Sequence, residues 1–136
     1  MTEQIEIILP PFKCGYHLIT DLIEKEINEL PFTGIANIFI QHTSAGITIN
    51  ENADPSVRAD FKMFMNKLIP ENFPGYTHVF EGADDMPAHL KASLIGQSVT
   101  IPITEGRLNL GTWQGIYLCE FRNSGGSRKI VITIIS

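Results

Sequence analysis

The sequence predicts an α+β fold, built as one domain over residues 1–136, in which about three helices pack on one face of a largely antiparallel sheet. Three observations predict this fold. Strand-like and helix-like segments follow one another in mixed order, without the regular βαβ repeat of a parallel sheet. The last two strand-like segments are joined by the short turn NSGGS, which is typical of an antiparallel hairpin. Hydrophobic residues make up 43% of the chain, which is enough for one globular core.

The N-terminal half predicts a strand, a helix, two strands and a second helix. Alternating apolar side chains at Ile5, Ile7 and Leu9 predict the first strand, which ends at the two prolines of ILPPF. Apolar residues at helical spacing predict a helix in HLITDLIEKEINEL. The β-branched and apolar segments TGIANIFIQHT and GITIN predict two strands. Asp54 as an N-cap and Pro55 at the first helical position predict a helix in PSVRADFKMFMNKL.

The C-terminal half predicts a short strand near Tyr76–Phe80, a third helix in MPAHLKASLIG and three strands in SVTIPI, GIYLCEFR and RKIVITII. Within GIYLCEFR, the period of two places Ile116, Leu118, Glu120 and Arg122 on one face. The last strand is apolar on both faces. Burial of both faces requires a second covering layer, such as a partner subunit.

Charge, hydropathy and cysteine content exclude several classes of protein. The net charge of −5 leaves no basic surface for a nucleic-acid backbone, so we expect no nucleic-acid partner. No segment contains the roughly 20 apolar residues of a membrane helix, so we expect no membrane partner. Cys14 and Cys119 are far apart, and we expect reduced thiols rather than a disulfide or a zinc knuckle. The first residues lack the features of a signal peptide, so we expect a cytoplasmic protein.

The segment HVFEGADDMPAH concentrates two of the chain's four histidines, His78 and His89, with three acids. Asp85 and His89 are four residues apart, so they share one face of the predicted third helix. A glycine-containing loop allows His78 to fold back towards them. Imidazole and carboxylate groups together bind divalent metal ions. The alternative is that Asp85 only caps the helix and that Glu81 and Asp84 are solvated loop acids.

Two further segments place polar side chains where predicted strands end, which is where functional sites are usually built. QHTSAGITINENADP carries His42 and Glu51, and GIYLCEFR carries Glu120 and Arg122, whose guanidinium suits phosphate or carboxylate. The alternative makes His42 a hydrogen-bonded core residue, Glu51 a turn residue and Glu120 part of a cross-strand ion pair. A Ser44–His42 nucleophile is disfavoured because Ser44 lacks an orienting acid and a nucleophile-elbow context.

Three blocks cover most of the chain in order: HTSAGITINENADPSVRAD, HVFEGADDMPAHLKASLIG and IPITEGRLNLGTWQGIYLCEFRNSGGSRK. Together they resemble the YjbQ-type family, whose members are described as secondary thiamine-phosphate synthases or left uncharacterised. The resemblance implies a compact α+β sandwich that forms a homotrimer. It also implies a metal ion at the motif histidines, which are His42, His78 and His89 here. The implied reaction joins a pyrimidine pyrophosphate to a thiazole phosphate and releases pyrophosphate.

The residues and the resemblance together predict a metal-dependent enzyme acting on a small phosphorylated molecule. Three neutral imidazoles with one open position are the ligands of a catalytic zinc ion, with manganese, nickel or iron as alternatives. The candidates for orienting the histidines or serving as general base are Glu51, Asp84, Asp85 and Glu120. Arg122 is the candidate for stabilising the leaving pyrophosphate. The alternatives are a non-catalytic trimer that binds a metabolite or metal, and a purely structural trimer with surface acids.

Overall fold

Eight strands and three helices make up the chain, and the computed structural model describes residues 1–136. In chain order they are β1 (Thr2–Ile8), β2 (Gly15–Leu18), α1 (Thr20–Glu26), β3 (Thr33–Ile40), β4 (Ala45–Glu51), α2 (Pro55–Leu68), α3 (Asp85–Ile95), β5 (Ser98–Thr104), β6 (Arg107–Leu108), β7 (Gln114–Glu120) and β8 (Lys129–Ile135). The predicted α+β class is confirmed. None of the three helices has the length and apolar character needed to cross a membrane.

The strands form two sheets rather than the single sheet that the sequence indicates. Five strands lie in the order β1-β8-β3-β5-β6, and three lie in the order β2-β7-β4. Every strand pair is antiparallel, as predicted. β7 is the central strand of the smaller sheet. Its last residue, Glu120, pairs with Gly15 of β2 on one side and with Ala45 of β4 on the other.

The two sheets pack face to face around the larger apolar cluster of the molecule. The larger sheet supplies Ala36, Ile38, Ile40, Ile130, Ile132 and Ile134, and the smaller sheet supplies Ile47, Ile116 and Leu118. Most of these residues are β-branched, and such side chains pack well on a pleated surface. Full burial of each large aliphatic side chain stabilises the fold by about 1.5–3 kcal/mol.

Helices α2 and α3 cover the other face of the smaller sheet, so the molecule has three layers. Tyr117 and Cys119 of β7 pack there against Met65 of α2 and against Ala88 and Ala92 of α3. The alternation predicted for this strand is confirmed from Ile116 to Cys119, because the even-numbered apolar residues face the larger sheet and the odd-numbered residues face the helices. β7 is therefore buried on both faces. Arg122 lies beyond the end of β7 and contacts the start of α3 instead.

The predicted helix starts are confirmed for α2 and corrected for α1. Asp54 caps α2, and its Oδ1 accepts a hydrogen bond from the Ser56 N–H at 2.9 Å. α1 begins only at Thr20, because the preceding residues form β2 and pair with β7. The Thr20 hydroxyl then accepts a hydrogen bond from the Ile116 N–H at 2.9 Å, which ties the start of α1 to the same strand.

Two local predictions are wrong. β7 and β8 do not form a hairpin, because β8 lies in the larger sheet between β1 and β3. The turn between them crosses from one sheet to the other, and a buried ion pair of Glu120 with Arg128 joins its two ends. Gly125 is required at this crossing, because a Cβ there would collide with both members of that pair. The strand expected at Tyr76–Phe80 is instead part of a loop.

The outer face of the larger sheet carries apolar side chains that remain exposed in the chain. Ile35 is 41% exposed, Phe39 is 39% exposed and Ile135 is 43% exposed. Ile35 and Ile135 are cross-strand neighbours on β3 and β8, so these side chains lie on one face. This is the face for which the sequence predicts a second covering layer.

Candidate metal centre

Three potential metal ligands meet at the N-terminal end of α3. One ligand atom from each of His78, Asp85 and His89 lies within 4.8 Å of the other two. The Oδ2 atom of Asp85 lies 2.7 Å from His78 Nε2 and 3.1 Å from His89 Nε2. α3 presents Asp85 and His89 on one face, since they are four residues apart. The loop before α3 folds back and delivers His78, so two predicted histidines and one predicted acid lie together.

Asp85 is the centre of this cluster, and Arg122 fixes its orientation. The Asp85 side chain is 2% exposed, and its Oδ1 accepts a hydrogen bond from Arg122 Nη1 at 2.6 Å. The other oxygen, Oδ2, therefore faces the two histidines. Burial would raise the pKa of Asp85, but its hydrogen bond with His78 and the charge of Arg122 help to outweigh burial, and the pKa is lowered. The group is consequently an anion at neutral pH.

The tautomer of His89 leaves a lone pair facing this anion. His89 Nδ1 lies 3.0 Å from the backbone carbonyl oxygen of Thr43. A carbonyl oxygen only accepts hydrogen bonds, so Nδ1 carries the proton, and Nε2 of a neutral ring has none. That Nε2 lies 3.1 Å from Asp85 Oδ2. A bare nitrogen lone pair and a carboxylate oxygen repel each other at this distance, so the arrangement requires a second proton or a metal ion between them.

The donor set fits a divalent metal ion. Two imidazole nitrogens and one carboxylate oxygen are the ligands of many catalytic zinc sites and of facial iron sites. Metal-bound histidines usually donate their second ring N–H to a carboxylate or a backbone carbonyl, as His89 does. Carboxylate ligands are likewise held by hydrogen bonds, and Arg122 donates one to Asp85 Oδ1, the oxygen that faces away from the histidines.

Glu81 reaches the edge of the cluster, although the sequence gives it only the character of a solvated loop acid. Its Oε2 lies 3.5 Å from His78 Nε2, and its side chain is 65% exposed. The backbone carbonyl of Glu81 accepts a hydrogen bond from Arg122 Nη2 at 3.0 Å. Arg122 therefore fixes the loop that carries His78 as well as the carboxylate that His78 contacts.

His42 lies outside the cluster, so the prediction that three histidines meet at one point is wrong for His42. Its Nε2 accepts the backbone N–H of Lys129 at 2.8 Å, which ties the ring to the start of β8. Burial lowers the pKa of His42, so the ring is neutral at neutral pH. The next residue, Thr43, provides the carbonyl that orients His89. The HTSA segment, residues 42–45, thus contributes a backbone carbonyl to the cluster. Asp85 occupies the position expected for the third imidazole.

Glu51 and Glu120, two of the predicted acids, also have partners elsewhere. Glu51 lies at the far end of β4 from Ala45, about 20 Å away at the usual rise of a strand. Its carboxylate accepts the backbone N–H of Asp54 at 3.1 Å. Glu120 is fully buried, and both of its oxygens accept hydrogen bonds from Arg128. Neither carboxylate contacts a histidine of the cluster.

Asp84 and Arg122, the remaining predicted residues, support the cluster from behind. Asp84 Oδ2 accepts hydrogen bonds from Arg122 Nε at 3.0 Å and from the Asn123 N–H at 2.9 Å. Arg122 donates from its other two nitrogens to Asp85 and to the Glu81 carbonyl, so all three guanidinium nitrogens are engaged. In this arrangement Arg122 positions the carboxylates, and contact with a leaving group would require one of these bonds to break.

Two contacts of this region were missed by sequence reasoning. The Thr43 carbonyl is a backbone group, and side-chain patterns do not reveal where such a group points. The Ser44 hydroxyl accepts a hydrogen bond from Arg128 Nη2 at 3.0 Å. Ser44 is therefore held by a cation, in agreement with the argument against a Ser44–His42 nucleophile. The only sequence signal for either contact is the position of HTSA between two strands.

A cavity of about 410 Å³ adjoins the cluster. It is lined by His89 from α3, His42 and Thr43 from the turn between β3 and β4, and Gln97 after α3. Its volume lies within the range of small-molecule sites. Both the candidate ligand His89 and the HTSA turn therefore border a space that a small metabolite can enter.

Comparison with known proteins gives the family. The family model described as "UPF0047 protein YjbQ-like" matches residues 5–136 of the chain. The chain belongs to the YjbQ family. The YjbQ protein of Salmonella typhimurium is 51% identical to it over 136 residues, which cover 98% of each chain. A YjbQ-family protein of Bacillus subtilis is 45% identical over 104 residues, which cover 76% of each chain. The resemblance predicted from the three sequence blocks is confirmed.

Solved structures of YjbQ proteins share this fold. A Clostridium acetobutylicum protein is 42% identical, has a TM-score of 0.81 and aligns over 96% of this chain and 99% of its own. A Sulfolobus solfataricus protein is 26% identical, has a TM-score of 0.84 and aligns over 98% of this chain and 96% of its own. The first is described as uncharacterised and the second as of unknown function. Neither description assigns an activity, so the function of this chain has to be argued from its residues.

Proposed function

We propose that this YjbQ protein is a cytoplasmic, metal-dependent enzyme that acts on a small phosphorylated metabolite. His78, Asp85 and His89 would hold the divalent ion, for which we propose zinc because two imidazoles and a carboxylate are common ligands of catalytic zinc. The observation that carries the proposal is the His89 ring, whose Nδ1 proton is committed to the Thr43 carbonyl while its Nε2 faces an ionised carboxylate. A cation between them removes this repulsion and gives Asp85 Oδ2 a partner.

The surrounding residues have separate tasks in this proposal. A bound divalent ion supplies Lewis-acid stabilisation for negative charge that develops on phosphate oxygens. Arg122 keeps Asp85 ionised and oriented, and the Thr43 carbonyl holds the Nδ1–H of His89, so that Nε2 is the ring nitrogen that would bind the ion. Glu81 is the exposed acid at the edge of the cluster, so it is the group best placed to accept a proton from a substrate. The adjoining cavity receives the substrate.

The specific reaction that we propose is thiamine-phosphate synthesis, with the status of a secondary activity that the family resemblance gives it. That reaction joins a pyrimidine pyrophosphate to a thiazole phosphate and expels pyrophosphate. The group that needs stabilisation is the leaving pyrophosphate, on which negative charge accumulates. A candidate metal centre beside a cavity of about 410 Å³ supports a reaction of this class.

Metal analysis and a turnover assay test the proposal together. Protein purified without added metal is analysed by mass spectrometry for bound metals and incubated with the two substrates, and thiamine phosphate and pyrophosphate are measured. We expect about one zinc per chain, and His89→Ala should lose both the metal and the product. His17→Ala is the matched control, because His17 contacts Phe12 and the Lys13 carbonyl, away from the cluster. Wild-type levels of metal and product in His89→Ala would contradict the proposal.

A non-catalytic protein that binds a metabolite or a metal is the second candidate function. It is favoured by the engagement of nearby reactive groups, since Arg128 holds the Ser44 hydroxyl and Arg122 has no free nitrogen. A pool of small phosphorylated metabolites, screened first for thermal stabilisation and then by mass spectrometry for conversion, separates the candidates. Stabilisation without conversion supports the binding protein, whereas conversion that His89→Ala abolishes supports the enzyme.

We also propose that the protein forms a homotrimer, as the family resemblance implies. The exposed apolar side chains on the outer face of the larger sheet, including Ile35, Phe39 and Ile135, are the surface that a second copy would cover. Apolar surface at the centre of an interface is characteristic of stable homo-oligomers. Covering this face would supply the layer that the apolar character of the last strand requires.

A further inference from the structure

A second cavity, of about 310 Å³, lies between α2 and α3 on the side away from the metal centre. Lys91 of α3 lines it two residues after His89, which corresponds to about 200° of rotation around a helix. Lys91 and His89 therefore point in nearly opposite directions. The cavity is also lined by Lys62 and Asn66 of α2, by Cys14 before β2, and by two acids, Glu71 after α2 and Asp84 before α3.

Lys91 is a buried cation that the chain does not neutralise. The residue is 5% exposed, and its Nζ donates a single hydrogen bond, to Asn66 Oδ1 at 2.6 Å. An ammonium group has three donors, so two of them have no protein partner. No carboxylate lies within 4.0 Å of Lys91 Nζ, so the ammonium group has no ion-pair partner. A buried charge is costly unless a counter-charge and hydrogen bonds accompany it.

None of the charged groups near Lys91 forms an ion pair with its ammonium group. Asp84 lines the cavity, but its carboxylate is engaged by Arg122 and the Asn123 N–H. Burial lowers the pKa of Lys91 and Lys62 lowers it further, whereas Cys14 and Glu71 oppose this shift. A bound anion would favour the charged form of the lysine and oppose the effect of burial.

A buried hydroxyl adds a further donor without a partner. Tyr16 is 8% exposed, and its OH has no hydrogen-bonding partner. It lies in a small recess that shares Cys14, Lys62 and Lys91 with the larger cavity. Lys62, Lys91 and the orphaned Tyr16 hydroxyl thus border the same space as the carboxylates of Glu71 and Asp84, neither of which forms an ion pair with either lysine.

We propose that this cavity binds the phosphate group of a small metabolite, with Lys91 at its floor and Lys62 at its rim. A phosphate supplies the acceptor oxygens and the negative charge that Lys91 and Tyr16 lack. Lysine ammonium groups bind phosphate as point charges without requiring the planar fork of arginine. A cavity of about 310 Å³ exceeds the volume of phosphate alone, so it has room for the rest of a small molecule. Lys91 lies on the opposite side of α3 from the proposed metal centre, and the two sites share one neighbour, Asp84, which lines this cavity and holds Arg122.

Calorimetric titration with inorganic phosphate tests this site in protein treated with EDTA, so that metal-bound phosphate makes no contribution. We expect saturable binding of one phosphate per chain, weakened at least about fivefold in Lys62→Met and abolished in Lys91→Met. Lys62 is exposed, so Lys62→Met keeps the test valid if Lys91→Met does not fold. Lys25→Met, an exposed lysine on α1, should bind like the wild type. No saturation up to about 10 mM phosphate, or equal affinity in wild type and Lys62→Met, overturns the proposal.

Alkylation of Cys14 by iodoacetamide localises the bound phosphate. Cys14 lines the cavity and is partly exposed, whereas Cys119 is fully buried and serves as the unreactive control within the same chain. Phosphate near Cys14 blocks access and disfavours its thiolate, so both effects slow the reaction. We expect at least about twofold slower alkylation of Cys14 at saturating phosphate. An unchanged rate at saturation places the phosphate elsewhere and overturns the proposal. Because the protein is metal-free, neither result depends on the metal centre.

Discussion

Replacing Asp85 by asparagine tests the candidate metal centre with little change in side-chain shape. Asp85 provides one of the three ligand atoms that lie within 4.8 Å of one another, so Asp85→Asn leaves only the two imidazoles as strong protein ligands. Loss of supporting contacts alone typically weakens metal binding by 10–100-fold, so loss of this direct ligand should weaken zinc binding by at least about 100-fold, or about 2.7 kcal/mol. Calorimetric titration of zinc into EDTA-treated protein, with a competing chelator, measures this difference.

Asp84→Asn is the matched control for this experiment. Asp84 lies next to Asp85, shares its contact with Arg122 and does not contact either histidine. Each substitution weakens a charged hydrogen bond to Arg122 and should lower the free energy of unfolding by roughly 1–3 kcal/mol. Zinc affinity should fall much more in Asp85→Asn than in Asp84→Asn. Equal losses in the two variants, or wild-type affinity in Asp85→Asn, would refute the assignment of Asp85 as a ligand.

Three further predictions follow from the structure. Burial lowers the pKa of His42 below its ordinary 6.5, and the neutral ring accepts the Lys129 N–H, so the stability that His42 contributes should be lost as pH falls below about 6.5. Chemical denaturation across this range should show a shallower decline in His42→Gln, and identical profiles would contradict this role. Leu118→Ala empties a fully buried core position and should lower the free energy of unfolding by about 2–5 kcal/mol, whereas Leu94→Ala, at an exposed position, should stay within about 0.5–1 kcal/mol of wild type. Ile35→Asp should convert the proposed trimer to monomers in analytical ultracentrifugation, and a variant that stays trimeric would exclude the outer face of the larger sheet as the interface.

Most individual elements were predictable because their signals are local. Asp54 and Pro55 mark the start of α2, and Gly96, with a positive φ of 102°, follows the last residue of α3. The division into two sheets was not predictable from such signals. β7 and β8 are both apolar and joined by a glycine-rich turn, which normally indicates a hairpin. The buried pair of Glu120 and Arg128 spans a crossing between sheets, and such a pairing of distant residues has no local pattern.

The sequence predicts the types of residue at the candidate site, but it does not predict fully which residues meet there. The spacing of Asp85 and His89 on one helix gave their common face, and the glycine-containing loop allowed His78 to return to them. The exclusion of His42 depends on a hydrogen bond from the backbone of Lys129, more than 80 positions later in the chain. The role of Arg122 likewise depends on three acceptors contributed by a separate segment. Contacts of this kind arise only from the tertiary fold.

Anomalous X-ray diffraction above the zinc absorption edge, on crystals of protein purified without added metal, tests the candidate metal centre most directly. We predict an anomalous peak about 2.0–2.2 Å from His78 Nε2, His89 Nε2 and Asp85 Oδ2. The absence of any peak there, with His89 Nε2 and Asp85 still in direct contact, would show that a proton rather than a metal ion separates them. That result would contradict the proposed metal-dependent function.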